Sequence, residues 1–113
     1  MYDAGDVVVV PFPFTDLTSS KQRPALVLAG DSEEASRRDV ILCAMTSNLT
    51  RAAHSVLIEQ DDLKEGILPR TSRVKVGRLT TLDRDLVRKR VGRIGEEPLK
   101  RVHRELRILL GLA

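Results

Sequence analysis

The sequence predicts a small, mainly β protein that ends in an α-helix. Short apolar runs rich in β-branched residues recur along most of the chain, and Gly or Pro punctuates them. Only the last segment repeats its apolar residues at the three- and four-residue spacing of a helix. Five or six short strands with one terminal helix are typical of a small curled antiparallel sheet or barrel. A chain of 113 residues fits one domain, residues 1–113.

Three apolar runs predict the first strands. Residues 6–12 are dominated by valine, and Pro11 assigns the end of this strand to a sheet edge or a bulge. Residues 24–29 form the second predicted strand, which Pro24 can open but cannot occupy in its middle. Residues 39–45 form the third.

The next segments are less regular. They are predicted, in order, as a strand at 54–59, a loop at 63–69, a strand at 72–80, a helical turn at 81–86 and a last short strand at 88–95. The alternation of apolar and basic residues in the strand at 72–80 slips by one residue at Gly77, which predicts a bulge there.

The predicted helix begins at Glu96, whose carboxylate suits the positive end of the helix, and Pro98 fits its first turn. Its apolar stripe consists of Leu99, Val102, Leu106, Leu109 and Leu110. The sequence does not decide whether this stripe packs on the sheet or supports a dimer.

Charge is distributed unevenly along the chain. Residues 1–68 contain 6 Lys/Arg and 11 Asp/Glu, a net of −5, whereas residues 69–113 contain 13 Lys/Arg and 5 Asp/Glu, a net of +8. A basic half suggests a polyanion partner, although a basic solvated face is at least as common a cause.

Several classes of protein are disfavoured by composition. No apolar run reaches the roughly 18 residues of a membrane helix, and the N-terminus lacks the basic region of a signal peptide. A single cysteine, Cys43, rules out an internal disulfide framework and is expected to be a buried apolar residue. We therefore expect a cytoplasmic protein with no metal, no cofactor and no membrane partner.

Four stretches of the sequence resemble the MazF/PemK family of bacterial toxins. The most specific comprises residues 5–8, PFPFT at 11–15, Lys21 and RPALVL at 23–28. The others are AMTSN at 44–48, the segment 72–83 that ends in LTTLD, and LLGL at 109–112. They follow the family's order along nearly the whole chain.

The resemblance implies an SH3-like barrel of the CcdB/MazF type with a C-terminal helix. It also implies a homodimer, cleavage of single-stranded RNA without a metal, and neutralisation by a cognate antitoxin. Such an antitoxin is typically an acidic, partly disordered segment that orders on a basic groove.

Two residues are identified as catalytic through this resemblance. Arg23 suits stabilisation of charge on the scissile phosphate, because its planar guanidinium can hold two phosphate oxygens. Pro24 biases Arg23 toward an extended backbone. The family places a threonine, here Thr46, beside the arginine as a hydrogen-bonding partner of the phosphate. Since the pKa of arginine exceeds 12, the proton donor is left open.

The general base is open as well. Asp16, on the loop after the first strand, is a possible base. The two histidines, His54 and His103, titrate near neutral pH by type but fall outside the matched motifs, so we interpret them as structural or surface residues.

Further residues are predicted to bind RNA. Phe14 is expected to stack on a base and Thr15 and Lys21 to contact the backbone, whereas Phe12 either stacks or, as favoured, faces the core. The remaining candidates are Ser47, Asn48 and Arg78. Many family members carry an acidic or amide residue where Gly77 and Arg78 stand here, so the cleavage sequence is not transferable.

Two other functions compete with RNA cleavage. CcdB-type toxins share this fold but poison DNA gyrase without cutting RNA, and a degenerate paralogue could bind an antitoxin only. The presence of Arg23-Pro24 and of the TSN stretch at 46–48 favours the ribonuclease.

Overall fold

Seven antiparallel strands form one curled sheet in the computed structural model, which describes residues 1–13, 20–31 and 37–112. The strands are β1 Asp6–Pro13, β2 Ser20–Ala29, β3 Asp39–Thr46, β4 Ser55–Ile58, β5 Leu63–Gly66, β6 Ser72–Asp83 and β7 Lys89–Ile94. Their order in the sheet is β4-β6-β3-β2-β1-β7-β5. One α-helix, α1 Glu96–Leu110, follows the last strand of the described residues. The predicted fold class, mainly β with a C-terminal helix, is confirmed.

The first two strands extend beyond the rest of the sheet as a hairpin. β2 begins at Ser20 rather than at the predicted residue 24, because Ser20 to Arg23 pair with Pro13 to Val10 of β1. Pro11 lies beyond Val9, the last β1 residue paired with β7. It therefore sits where β1 is bonded on one side only, as expected of a proline.

One predicted loop is a strand. Residues 63–66 were expected to be irregular, but β5 pairs with β7 at an edge of the sheet. The pairing depends on close backbone approach: a Cβ on Gly66, which has a φ of 88°, would lie 2.2 Å from the carbonyl oxygen of Val91. The strand has no apolar alternation, so pattern reasoning misses it.

The long strand β6 contains the predicted bulge. Cys43 of β3 lies opposite Leu79, whereas the next residue, Ala44, lies opposite Lys75. Residues 76–78 therefore have no counterpart in β3, which confirms the bulge at Gly77. The strand continues to Asp83, so the helical turn predicted at 81–86 is limited to the 3₁₀ turn Arg84–Leu86.

Two cores occupy the two faces of the sheet, which explains the unbroken valine run of β1. Val7 joins the core that packs under α1, and Val8 and Val10 join the core on the opposite face. In β2, likewise, Leu26 is buried in the first core and Ala25 in the second. Strands buried on both faces are continuous in hydrophobicity rather than alternating.

The helix packs on the sheet. Val102 is fully buried in the first core, and Leu99, Leu106 and Leu109 pack against it. Leu110, predicted as part of this stripe, is 54% exposed because it lies about 100° around the helix from Leu109. Within the described residues, no helix is long and apolar enough to cross a membrane.

Ion pairs join the acidic first half of the chain to the basic second half. Arg90 and Arg93 donate to the buried Asp6 carboxylate at 3.0 and 2.9 Å, and Arg84 donates to the buried Asp31 at 3.3 Å. Some of the basic residues of the second half are thus neutralised by acidic residues of the first half. Only cations without such a partner are candidates to bind a polyanion.

Candidate functional site at the strand ends

The ends of three neighbouring strands bring two cations to either side of a threonine. The last residue pair between β2 and β3 is Ala25 with Ala44, and Arg23 and Thr46 each lie two residues beyond it. On the other side of β3, Thr46 pairs with Arg73 of β6. We call these three residues the Arg23–Thr46–Arg73 row.

The side chains of the row lie in two adjoining depressions. The Arg23 depression, about 350 Å³ in volume, also contains the predicted site residue Ser47. Its other lining residues are Val9, Gln22, Pro24, Met45, Leu68, Pro69, Arg70 and Ser72. The Thr46 depression, about 190 Å³, is lined by Thr46, Asn48, Thr50, Ala52, Ser55, Arg73 and Lys75. The two depressions thus take consecutive residues, Thr46 and Ser47, at the end of β3.

The structure therefore groups the predicted residues in pairs. Arg23 shares a depression with Ser47, and Thr46 shares one with Asn48. Arg23 and Thr46 line neighbouring depressions rather than a single one.

Hydrogen bonds fix which groups Thr46 and Asn48 present to solvent. The Asn48 N–H donates to Thr46 Oγ1 at 3.1 Å, and the Thr50 N–H donates to Asn48 Oδ1 at 3.0 Å. Each side chain thus uses an acceptor on its own turn. The Thr46 hydroxyl proton and the Asn48 amide N–H groups remain available as donors, which suit an anion.

Arg73 holds the segment that follows β3. Its Nε donates to the Leu49 carbonyl oxygen at 3.0 Å, and its Nη1 donates to Ser55 Oγ at 3.3 Å. The Ser55 hydroxyl in turn donates to the Ala52 carbonyl oxygen at 2.7 Å. One guanidinium therefore connects both ends of the 49–55 segment.

Three cations that line the two depressions have no carboxylate partner within the described part of the chain. Arg70, Arg73 and Lys75 form no ion pair with a carboxylate of the described residues, unlike Arg84, Arg90, Arg93 and Arg101. The sequence analysis did not single out these three cations. The signal was present for two of them, since Arg73 and Lys75 alternate with the buried Val74 and Val76.

Other predicted RNA contacts lie apart from the row or outside the described residues. Lys21 is exposed on β2, in the hairpin arm opposite Phe12, and Arg78 is exposed in the β6 bulge. Neither lines the two depressions, as far as the described residues define them. Phe14, Thr15 and Asp16, and the side chain of Phe12, lie outside the described part of the chain.

The remaining titratable candidates among the described residues do not line either depression. Burial raises the pKa of the Cys43 thiol to about 12, so it stays protonated at neutral pH. His54 Nδ1 lies 3.5 Å from Glu105 Oε2 of α1, and His103 is half-buried on the helix. Among the described residues, no group of three His, Cys, Asp or Glu side chains is arranged to hold a metal ion.

Solved structures share this fold. An "Endoribonuclease in complex with its cognate antitoxin from Mycobacterial species" superposes with a TM-score of 0.79 at 18% identity, covering 100% of this chain and 98% of that one. MazE-MazF from Deinococcus radiodurans gives 0.78 at 23% identity, covering 99% and 98%. Mycobacterium tuberculosis toxin MazF-mt6 gives 0.70 at 15% identity, covering 94% and 98%. A comparison with curated proteins finds no match.

The sequence itself identifies the family. Residues 3–110 match the family described as "PemK-like, MazF-like toxin of type II toxin-antitoxin system". This span includes all the described strands, the whole of α1 and both depressions. The chain therefore belongs to the PemK-like, MazF-like toxins of type II toxin–antitoxin systems.

Proposed function

We propose that this toxin is a metal-independent, sequence-selective endoribonuclease that cleaves single-stranded mRNA in the cytoplasm. One observation carries the proposal: Thr46 pairs with Arg73, Arg23 lines the depression that also contains Ser47, and a hydrogen bond from the Asn48 N–H leaves the Thr46 hydroxyl proton available to donate. Similar solved structures include proteins named as endoribonucleases, which is consistent with this activity.

The proposed reaction is a transesterification within the RNA. The ribose 2′ oxygen attacks the adjacent phosphorus, its proton passes to a base, and the bond from phosphorus to the 5′ oxygen breaks. The 5′ oxygen then takes up a proton. The products are a 2′,3′-cyclic phosphate and a 5′-OH, with no water or metal consumed. Charge builds up on the phosphoryl oxygens during the step, so positively charged groups and aimed donors lower the barrier.

Arg23 and Thr46 are proposed to supply those groups. Arg23 is exposed on the rigid end of β2, where its guanidinium can bind two phosphoryl oxygens. The Thr46 hydroxyl can donate to the same phosphate from the adjoining depression. Asp16 is our candidate for the base, and the acid is left open, since arginine is too weak an acid to give up its proton readily.

The rest of the proposed RNA surface surrounds the row. Ser47 and Asn48 follow Thr46 and can contact a phosphate or a base edge, and Lys21 lies on the hairpin arm beyond Arg23. The proposal also includes base stacking by Phe14, with Thr15 and Arg78 on the RNA backbone. Splayed, unpaired bases are the form of RNA that such contacts read.

Two protein partners are proposed as well. Similar solved structures contain an antitoxin or MazE, which supports a cognate acidic antitoxin for this chain. The carboxylates of the antitoxin would pair with Arg70, Arg73 and Lys75. The antitoxin would then compete with RNA for these cations. We also propose a homodimer; Ile108, Leu110 and Leu112 are exposed near the end of α1 and are available to an interface. Analytical ultracentrifugation would measure the dimer directly.

The experiment that tests the function is incubation of the purified protein with a long single-stranded RNA in EDTA. We expect cuts at a recurring short sequence. Arg23→Ala is expected to lose them, whereas Arg107→Ala, which removes an exposed arginine from the last turn of α1, is expected to retain them.

Intact RNA in the presence of folded wild-type protein would overturn the proposal. The proposal would also be overturned if the Arg23→Ala variant cleaved RNA as fast as the Arg107→Ala variant. Either result would favour a non-catalytic toxin, and inhibition of DNA supercoiling by gyrase would be the next assay.

A further inference from the structure

We propose that the Thr46 depression binds a second phosphate of the RNA, next to the one that is cleaved, and that Lys75 contacts it directly. The inference rests on the proposed function and assigns a subsite to lining residues of the depression other than Thr46, whose hydroxyl is proposed to contact the cleaved phosphate. It concerns three side chains in particular, Lys75, Asn48 and Arg73.

The chemistry of the depression is that of an anion site. Lys75 and Arg73 contribute two positive charges, and no carboxylate is among its described lining residues. The side-chain oxygens of Thr46 and Asn48 each accept one backbone N–H. The Asn48 amide N–H groups remain as hydrogen-bond donors beside the two cations, and an anion can accept from them.

The lining of the depression favours a phosphate over a stacked base. Its volume of about 190 Å³ lies below the range of roughly 300–1,000 Å³ that accommodates drug-sized ligands. No aromatic ring is among its described lining residues, so it has no platform on which a base could stack. A compact, charged group fits both properties.

The position of the depression makes it part of the same RNA path. Thr46 belongs to it, and Ser47, the next residue, belongs to the Arg23 depression. Lys75 pairs with Ala44, two residues before Thr46 on β3, and with Ser55 on the edge strand β4. An RNA strand held at Arg23 would thus run across the end of β3 and place a neighbouring phosphate at Lys75.

The test measures the salt dependence of RNA binding in a background that does not cut. Arg23→Ala protein is titrated with a labelled single-stranded RNA over a range of NaCl concentrations, alone and combined with Lys75→Gln. For single strands each phosphate contact contributes a slope of about −0.7 in log K against log salt, so Lys75→Gln is expected to reduce the slope magnitude by about 0.7. The affinity should fall about tenfold.

Two matched variants accompany it. Lys100→Gln removes an exposed lysine on α1 and is expected to leave the slope unchanged. Lys75→Arg keeps the positive charge and is expected to restore most of the affinity, which distinguishes a charge contact from damage to the fold.

The outcomes separate the two proposals. If the wild-type protein cleaves RNA but Lys75→Gln has the same slope as Lys100→Gln, the second-phosphate site is wrong while the ribonuclease stands. If Lys75→Arg binds as weakly as Lys75→Gln, the phosphate contact is also wrong. If the wild-type protein neither binds nor cleaves RNA, the ribonuclease function itself fails, and the subsite with it.

Discussion

Thr46 and Arg73 face each other across β3 and β6, and Arg73 also binds the backbone that follows Thr46. The Nε of Arg73 donates to the Leu49 carbonyl oxygen at 3.0 Å, only three residues beyond Thr46. The orientation of the Thr46 hydroxyl thus depends on a turn that an arginine from the neighbouring strand holds in place.

Arg73 is therefore predicted to position Thr46. Arg73→Lys keeps the charge but cannot bond both Leu49 and Ser55 as the guanidinium does, so we expect kcat to fall about tenfold with little change in KM. Steady-state cleavage of an RNA oligonucleotide measures both constants. Arg107→Lys serves as the control. A kcat equal to that of the wild type in Arg73→Lys would show that charge alone matters at this position.

The Thr46 hydroxyl is predicted to matter more than its methyl group. Thr46→Ser keeps the acceptor for the Asn48 N–H and the donor for a phosphate, and we expect it to retain activity within about tenfold. Thr46→Val removes both, so we expect a loss of about 100-fold or more. Single-turnover cleavage rates compare the two. Similar rates for both variants would remove Thr46 from the chemistry.

Asp6 is predicted to stabilise the fold at neutral pH. Burial alone would raise its pKa, but the Asp3 N–H and the guanidinium groups of Arg90 and Arg93 outweigh this effect and hold the pKa below its ordinary value of 3.8. A carboxylate with a lowered pKa stabilises the folded state above its unfolded-state pKa, and the contribution disappears as pH falls through the folded-state pKa.

The corresponding variant is Asp6→Asn, which we expect to lose about 3 kcal/mol at neutral pH. Urea denaturation at about pH 7 and about pH 2.5 measures the free energy of unfolding. The difference between wild type and variant should shrink at the lower pH. A difference that stays constant with pH would show that the ionised form of Asp6 is not what stabilises the protein.

Gly66 is predicted to be required for the β5–β7 edge. An alanine there would adopt an unfavourable φ of 88° and place its Cβ 2.2 Å from the Val91 carbonyl oxygen, so we expect a loss of about 2 kcal/mol or more. Gly111→Ala is an informative control, because it has a φ of 69° but meets no atom within 4 Å. Thermal unfolding measures the melting temperature of both variants. An equal decrease in both would attribute the effect to the positive φ alone.

Much of the sheet could be predicted because its central strands are apolar. Three of the four valines of β1 are buried, as are Leu42, Cys43 and Met45 of β3, and burial is what hydrophobic patterns report. The bulge at Gly77 was visible as a slip in alternation. Strand β5 was not, because it is an edge strand whose pairing depends on glycine contacts with Val91 and Gly92 rather than on apolar side chains.

The candidate site was only partly predictable for a related reason. Arg23, Thr46, Ser47 and Asn48 were found through family motifs, and the structure adds their grouping into two depressions. Arg73 and Lys75 were seen only as the polar side of a strand. Their importance depends on the β3–β6 register, which pairs Arg73 with Thr46 and Lys75 with Ala44. The bulge shifts this register by three residues. Register across a bulge is not encoded in local pattern.

The central claim is that cleavage proceeds by attack of the 2′-OH with Arg23 on the phosphate. The most direct measurement uses an RNA oligonucleotide that contains a mapped cleavage site and a copy with a single 2′-deoxy nucleotide on the 5′ side of the scissile bond. Both are incubated with the protein in EDTA, and the product ends are identified by mass spectrometry. We predict a 2′,3′-cyclic phosphate and a 5′-OH from the RNA and no cleavage of the 2′-deoxy copy. Cleavage of the 2′-deoxy copy, or a 5′-phosphate product, would contradict the account.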